Sequence, residues 1–564
     1  MQRLKEAICE IHQVREICQA PSISFGVVHK GKVILRESIG YRDVERKLEA
    51  NPDTIYMIGS CSKMFTSAAL GILVDEEKVQ WLNLVSKHLP DFNPIGDSRI
   101  GQSADLIDVL RHSTGLTAPD SLCFGPRGSS PLDAKQLIPL LNLMPTSNNE
   151  GQRFNRHWMY NNATYGLAAE VIERVTCKPF PDFVRSRILQ PLGLDRTVLT
   201  TSDVEEDDNL AYQYAILDNG AFSKLPTESW PLGHNPPQLA VTGIGSSLND
   251  MLTWCISVLS AERGEVESSP TNEGPTLPSS PTSTNKKRNP LKQMTRVRRG
   301  YWTRPPDDPA ISAEAAVGMG WIRMMLPSSM LGAFSGNGFT REPPLSMHLN
   351  NILGTQSEKR LMVGHTGGVM GGVTTVWTFP ETQSAIVTMA NTRQLGDASD
   401  FTAQVLIQAL FDLQPRIDLL PWARKEVELK KGFYSEKLLR PWTENRQETD
   451  DERDRTLYAG EYQGFEGLFT LHIIANQDET QSTTRLSVMF NSQKRSMCDL
   501  VFYKSDHYSF FTGDLDYWLA EWFPWGDYRE TILEFKWDDM TEKVSGIWWL
   551  WSKEEKPAWF KRVE

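Results

Sequence analysis

The 564-residue sequence has no run of about 18 apolar residues, so no segment reads as a membrane-spanning helix. It also lacks a Cys-x-x-Cys pair. Its seven cysteines (Cys9, Cys18, Cys61, Cys123, Cys177, Cys255 and Cys498) are odd in number and scattered. That pattern argues against a disulfide framework and for free thiols in a reducing compartment. No His-x-x-x-His or paired-cysteine spacing supplies metal ligands, so neither a metal nor a cofactor is expected. Positive charge is scarce as well. With 59 Lys and Arg against 71 Asp and Glu, the net charge is -12, which excludes a broad nucleic-acid surface. The one basic run, "NKKRNPLKQMTRVRRG" (285–300), lies in or beside a low-complexity stretch and reads as a solvated segment. The first residues, "MQRLKEAICEIHQVREI", contain no apolar h-region; their spacing predicts an amphipathic helix, not a signal peptide. The expected location is cytoplasmic.

What remains is an ordinary globular composition, 40% hydrophobic, 23% charged and 10% aromatic, long enough for one large core and a further domain. "SISFGVVHKGKVILRESIGYRD" (22–43) predicts two strands joined by a hairpin turn at Lys30-Gly31. From about 60 to 258 the pattern is mainly helical, as in "KMFTSAALGILVDEEK" and "NNATYGLAAEVIERVT". Residues 264–290 are rich in Ser, Pro, Thr, Asn and Gly and predict a disordered insertion. Strand patterns return at 371–380 and 384–391, followed by a helix over 400–413. Strands at both ends with helices between predict one sheet built from chain-distant pieces, with a helical region inserted into it. After the charged "ENRQETDDERDR" (444–455), short alternating aromatic strands predict a small β-barrel or sandwich. The expected divisions are a catalytic domain over 1–415, a connecting segment over 416–455 and a barrel over 456–564.

Three short motifs carry possible chemistry. In "IGSCSKMFTSAAL" (58–70), Ser60 and Lys63 stand one helical turn apart, so hydroxyl and amine share a face. Alone this means little, since the same spacing recurs at Ser283 and Lys286 inside the low-complexity stretch. Weight comes from two later motifs in order along the chain. They are Tyr160-x-Asn162 in "MYNNATYGL" and then His365-Thr366-Gly367-Gly368 in "VGHTGGVMGG", immediately before an expected strand. "GIGSSL" (243–248) has Leu248 where a dinucleotide loop needs its third glycine, and is set aside.

With these motifs in this order, the sequence resembles the serine β-lactamase and penicillin-binding-protein family, in its class C and esterase-like branch. Connecting segments such as "LIDVLRHSTGL", "ILQPLGLDRT" and "GIGSSLNDMLTW" extend the resemblance over roughly residues 20–415. It implies the α/β (α+β) β-lactamase/transpeptidase-like fold, an antiparallel sheet flanked by helices plus an all-helical region. The C-terminal all-β domain would be a lipocalin-like barrel.

A serine hydroxyl needs an adjacent base to attack at neutral pH, and Lys63 can serve only if burial makes it neutral. The resemblance implies that Ser60 is the nucleophile, that Lys63 and Tyr160 share the proton transfer, and that Asn162 orients Lys63 and meets the acyl side chain. Which of Lys63 and Tyr160 is the base stays open at this level. It further implies the Gly368 N–H as second oxyanion donor and His365 as a substrate-facing residue. Penicillinases carry a lysine where His365 stands, and a histidine is cationic only below its pKa. That departure argues against β-lactam hydrolysis and for an ester or amide substrate.

The expected activity is serine hydrolysis of a small-molecule ester or amide through an acyl-enzyme. The expected setting is an intracellular, fungal-type member, with secondary-metabolite tailoring as its role. The alternatives are acyl transfer onto a metabolite hydroxyl or amine, and a catalytically idle binding protein on the same fold. The expected partner is a small-molecule acyl substrate, with neither nucleic acid nor membrane.

Overall fold

The computed structural model describes residues 2–146, 154–156, 158–226, 239–268, 289–304, 315–328, 331–332, 334–338, 352–447, 452–478, 483–521, 525–538 and 540–563. Its centre is a nine-stranded sheet. From edge to edge the strands are Leu48–Glu49, Lys32–Asp43, Ser22–His29, Ser384–Ala390, Gly372–Phe379, Arg360–Val369, Ile322–Leu326, Ala315–Val317 and Trp302–Arg304. Every neighbouring pair is antiparallel. The Lys30-Gly31 hairpin forms as expected, with φ of 52° and 73° at its two turn residues. Such a turn matches the right-handed twist of the flanking strands. Closing the sheet depends on a distant pairing, Ser22–His29 against Ser384–Ala390, with Phe25 opposite Thr388.

The period-two alternation of the central strands sends side chains into two separate cores. Ile23, Phe25 and Val27 face a layer made by helices Gln2–Ile17 and Ala398–Phe411, where Ile11, Val14, Phe401 and Val405 are buried. Gly26 and Val28 face the opposite layer. A Cβ on Gly26 would lie 2.8 Å from Leu252 of helix Leu248–Glu267, so the glycine lets that helix sit directly on the sheet. Helices Ser62–Asp75 and Ala163–Thr176 complete this second layer. Helix Ser62–Asp75 is buried from Ser62 to Leu73, which is why its sequence is apolar and small on every side.

Eight strands between Gly460 and Arg562 close into a β-barrel. Its inside is filled with aromatic rings: Phe490 lies 5.5 Å from Trp549, which in turn lies 5.8 Å from Phe560. Trp549 and Trp551 are buried while Trp548 points outward, the alternation expected of a barrel strand. The barrel docks on the segment 117–136, which packs in the second layer. Arg127 pairs with Glu521 and donates to the carbonyls of Arg495 and Met497, and Asn491 donates to the carbonyl of Pro131 at 3.0 Å.

Three expected segments gain detail in the structure. His365-Thr366-Gly367-Gly368 precedes the strand Gly372–Phe379 as expected, and itself lies within the strand Arg360–Val369 that pairs with it. The expected connecting segment 416–455 contains two α-helices, Leu420–Lys431 and Arg440–Asn445. Helix Leu248–Glu267 continues into the expected insertion at 264–290, and Asn289 hydrogen-bonds back to the carbonyl of Ser257; residues 269–288 lie outside the described residues. Among the described residues, no helix is long and apolar enough to cross a membrane.

Candidate active site

Ser60 sits in a 3-10 turn, Gly59–Cys61, that runs straight into helix Ser62–Asp75. The turn begins at Gly59 with φ +53°, and a Cβ there would stand 2.6 Å from the backbone nitrogen of Gly368. The same close approach appears from the other side. A Cβ on Gly367 would lie 2.0 Å from the carbonyl oxygen of Ile58 and 3.1 Å from the nitrogen of Ser60. Two adjacent glycine contacts thus bring the 367–368 strand segment against the turn that carries Ser60. Strand Ile322–Leu326 pairs with Arg360–Val369 only as far as Gly364. Residues 365–369 therefore have no strand neighbour on that side among the described residues.

Lys63, one turn on, donates to Ser60 Oγ at 3.0 Å, to Asn162 Oδ1 at 2.8 Å and to the Val241 carbonyl at 3.2 Å. It is completely buried. Desolvation lowers its pKa from 10.5 to about 7, against smaller raising effects from Asp120 and Cys61. Tyr160 donates to Ser60 Oγ at 2.9 Å, and its ring lies 4.9 Å from Lys63 Nζ. Burial moves the phenol above its ordinary pKa, so it stays protonated at neutral pH. The neighbouring environments push the lysine and the phenol in opposite directions. Lys63 is the group that can be neutral near pH 7.

Asn162 stands at the start of helix Ala163–Thr176 and bridges two ionisable partners at once. Its Oδ1 accepts from Lys63, and its Nδ2 donates to Asp120 Oδ2 at 2.9 Å. Below Tyr160 lies His112, buried, with φ +62° and a ring centroid 4.4 Å away; its Nδ1 accepts from the Asn161 N–H. Burial, helped by the positive charge of Lys63, holds the His112 pKa well below the usual histidine value. His112 is a neutral shelf under the tyrosine.

The structure brings Ser60, Lys63, Tyr160, Asn162 and Gly368 into one cluster. His365 stands at its edge, its ring 6.4 Å from that of Tyr160. It is only 5% exposed, and its Nδ1 donates to the Thr366 carbonyl, leaving Nε2 as the acceptor nitrogen. Burial first and Lys63 second push its pKa down to about 3, so it offers no cation at physiological pH.

Two residues near the cluster escaped sequence reasoning. Asp120 belongs to no motif, and only its tertiary contact with Asn162 marks it. Arg393 follows the last central strand, and a Cβ on Gly368 would stand 3.3 Å from its guanidinium carbon. Its loop is held by Asn391, which accepts from the Ser22 N–H and donates to the carbonyls of Tyr41 and Tyr212. An arginine side chain on this held loop therefore flanks the strand that lacks the penicillinase lysine. Among the described residues, no group of three or more His, Cys, Asp and Glu side chains converges as metal ligands would.

A family model described as Beta-lactamase matches residues 10–410. The unguisins hydrolase ungD' of Aspergillus campestris (strain IBT 28561) is 27% identical over 213 residues, 37% of this chain and 38% of that protein. The teichoic acid D-alanine hydrolase of Staphylococcus aureus is 29% identical over 174 residues, 31% of this chain and 40% of its own. The chain thus spans about two fifths of the length of these curated relatives. In three dimensions, the octameric penicillin-binding protein homologue from Pyrococcus abyssi aligns with 99% of this chain and 100% of its own, at a TM-score of 0.54 and 16% identity. At that identity the likeness speaks for the fold alone.

Proposed function

Because the chain belongs to the Beta-lactamase family, we propose that it is a serine hydrolase that opens a small-molecule ester or amide through an acyl-enzyme on Ser60. One observation carries this reading: Ser60 Oγ lies 3.0 Å from a buried lysine amine whose pKa falls to about 7, and 2.9 Å from the Tyr160 hydroxyl. Neutral Lys63 takes the Ser60 proton as Oγ bonds to the acyl carbon, and the carbonyl π pair moves onto oxygen. The N–H groups of Ser60 and Gly368, at the meeting of turn and strand, are the donors assigned to that oxyanion. Collapse breaks the bond to the leaving alkoxide or amine, which departs with a proton relayed through Tyr160 from Lys63. Water then repeats the sequence on the acyl-enzyme and releases the acid.

The two relatives named above are both hydrolases, which supports water as the second nucleophile. Transfer to a metabolite hydroxyl or amine would use the same intermediate. The substrate is read as a small molecule of secondary metabolism. The test is covalent labelling of the full chain by a fluorophosphonate, followed by intact mass and peptide mapping. A single adduct on Ser60 that disappears in Ser60→Ala is expected; labelling that survives Ser60→Ala would refute the mechanism.

A further inference from the structure

Asp120 opens the one-turn helix Asp120–Cys123, on the segment against which the barrel docks. Its Oδ2 accepts from Asn162, while its Oδ1 is buried with no hydrogen-bond partner among the described residues. A buried carboxylate oxygen without a partner is costly, so the position calls for an account. The Asn162 amide can face two ways round. As it stands, Oδ1 meets the Lys63 amine and Nδ2 meets the Asp120 carboxylate. Turned over, it would set N–H against the lysine N–H groups and oxygen against the carboxylate, two repulsive contacts. The carboxylate therefore selects the amide orientation that holds Lys63 beside Ser60.

The residues on either side of Asp120 are tied to the barrel. Thr117 Oγ1 donates to Glu555 Oε1 at 2.6 Å, and Ser121 Oγ donates to the Trp551 carbonyl at 2.5 Å. Both acceptors lie in the loop joining barrel strands Lys543–Trp549 and Ala558–Arg562. We propose that Asp120 is a positioning residue for the Ser60–Lys63 pair, pinning the Asn162 amide, and that this barrel loop holds Asp120 in place. The barrel is thereby part of the catalytic geometry and not an appended module. The proposal rests on the acyl-enzyme reading above.

The charged and titratable groups facing Lys63 are Cys61 on its own turn, Tyr160, Tyr165, His112, His365 and Asp120. Those facing Asp120 are Lys63, Tyr160, Cys123 and, from the barrel loop, Glu554. Of these, Asp120 alone supplies a carboxylate near Lys63, and it favours the ammonium. Removing it should ease deprotonation of the lysine.

The experiment measures the second-order rate of fluorophosphonate labelling between pH 5 and 10 for the wild-type chain and Asp120→Asn. The expected result is an acidic limb displaced downward by on the order of one pH unit. The maximal rate should fall about tenfold, since the amide is no longer pinned. In an Asn162→Ala background, Asp120→Asn should change the maximal rate by less than about twofold, because its effect passes through the amide. An unmoved limb at wild-type rate, or simple multiplication of the two losses, would overturn the proposal. Thr117→Val and Ser121→Ala release the segment without touching the carboxylate, so they read the barrel's part even if Asp120→Asn does not fold. Each should lower the maximal rate several-fold at an unchanged melting temperature; wild-type rates in both would equally overturn it. If the wild type is not labelled at Ser60 at all, the acyl-enzyme reading fails and this proposal falls with it. Labelling at Ser60 with an unmoved limb isolates the failure to Asp120.

Discussion

If Lys63 is the base, ester hydrolysis must depend on pH in a way set by its burial. A lysine at its ordinary 10.5 would be neutral in roughly one molecule in three thousand at pH 7, whereas at about 7 roughly half are neutral. Hydrolysis requires the neutral amine, so kcat/KM should rise about tenfold per unit below pH 6, bend near 7 and level above 8. The neighbouring histidines do not confuse the limb. His365 is held at about 3 and His112 well below its ordinary value, so neither titrates in this window. Tyr160 is shifted upward, so no downturn from its ionisation is expected before about pH 10. Burial raises the carboxyl of Asp120 above its ordinary value as well. Lys63→Met separates the two: it should lower kcat/KM by about 100-fold or more and erase the limb at 7. Stopped-flow hydrolysis of a p-nitrophenyl ester across pH 5–10 makes the comparison. A flat wild-type profile, or a limb that persists in Lys63→Met, would refute the assignment of the base.

The same geometry sets four further outcomes. Lys63→Ala and Tyr160→Phe should each slow acylation by about 100-fold, and the double variant should lose far less than the product, because both groups serve one proton transfer; multiplicative losses in burst kinetics would contradict a shared relay. Gly367→Ala places a carbon 2.0 Å from the Ile58 carbonyl oxygen, so the strand must part from the Ser60 turn; loss of labelling by about 100-fold or more together with a lower melting temperature is expected, while Gly368→Ala meets only the movable Arg393 side chain and should melt nearer the wild type. With His365 neutral, selection of anionic substrates should fall to Arg393: Arg393→Gln should reduce kcat/KM for a carboxylate-bearing ester about tenfold relative to a matched neutral ester. His365→Lys would bury a second ammonium near Lys63 and is expected to lower the melting temperature, not to improve anion use.

Sequence alone determined the parts of this protein that depend on neighbours along the chain. Ser60 and Lys63 share a face because helical geometry stacks positions three apart, and Lys30-Gly31 turns because that pair suits a tight hairpin. The aromatic alternation beyond residue 456 announced a β-barrel or sandwich for the same local reason, since period two puts every second ring inside, and the closure into a barrel came from the tertiary pairing. Tertiary structure decided what joins distant segments. The place of Gly368 beside Ser60 depends on glycines 59 and 367 allowing two backbones to touch across some three hundred residues of chain. The lysine became a base candidate only when twelve consecutive positions of its helix were enclosed, a depth that periodicity does not report. Asp120 and Arg393 carried no motif because a carboxylate or guanidinium acquires its role from the group it faces. Asp120 faces an amide that reaches Lys63 from another helix, and a barrel loop more than four hundred residues downstream holds it there. Charge and hydrogen bonding act through space, so those partners exist only once the chain has folded.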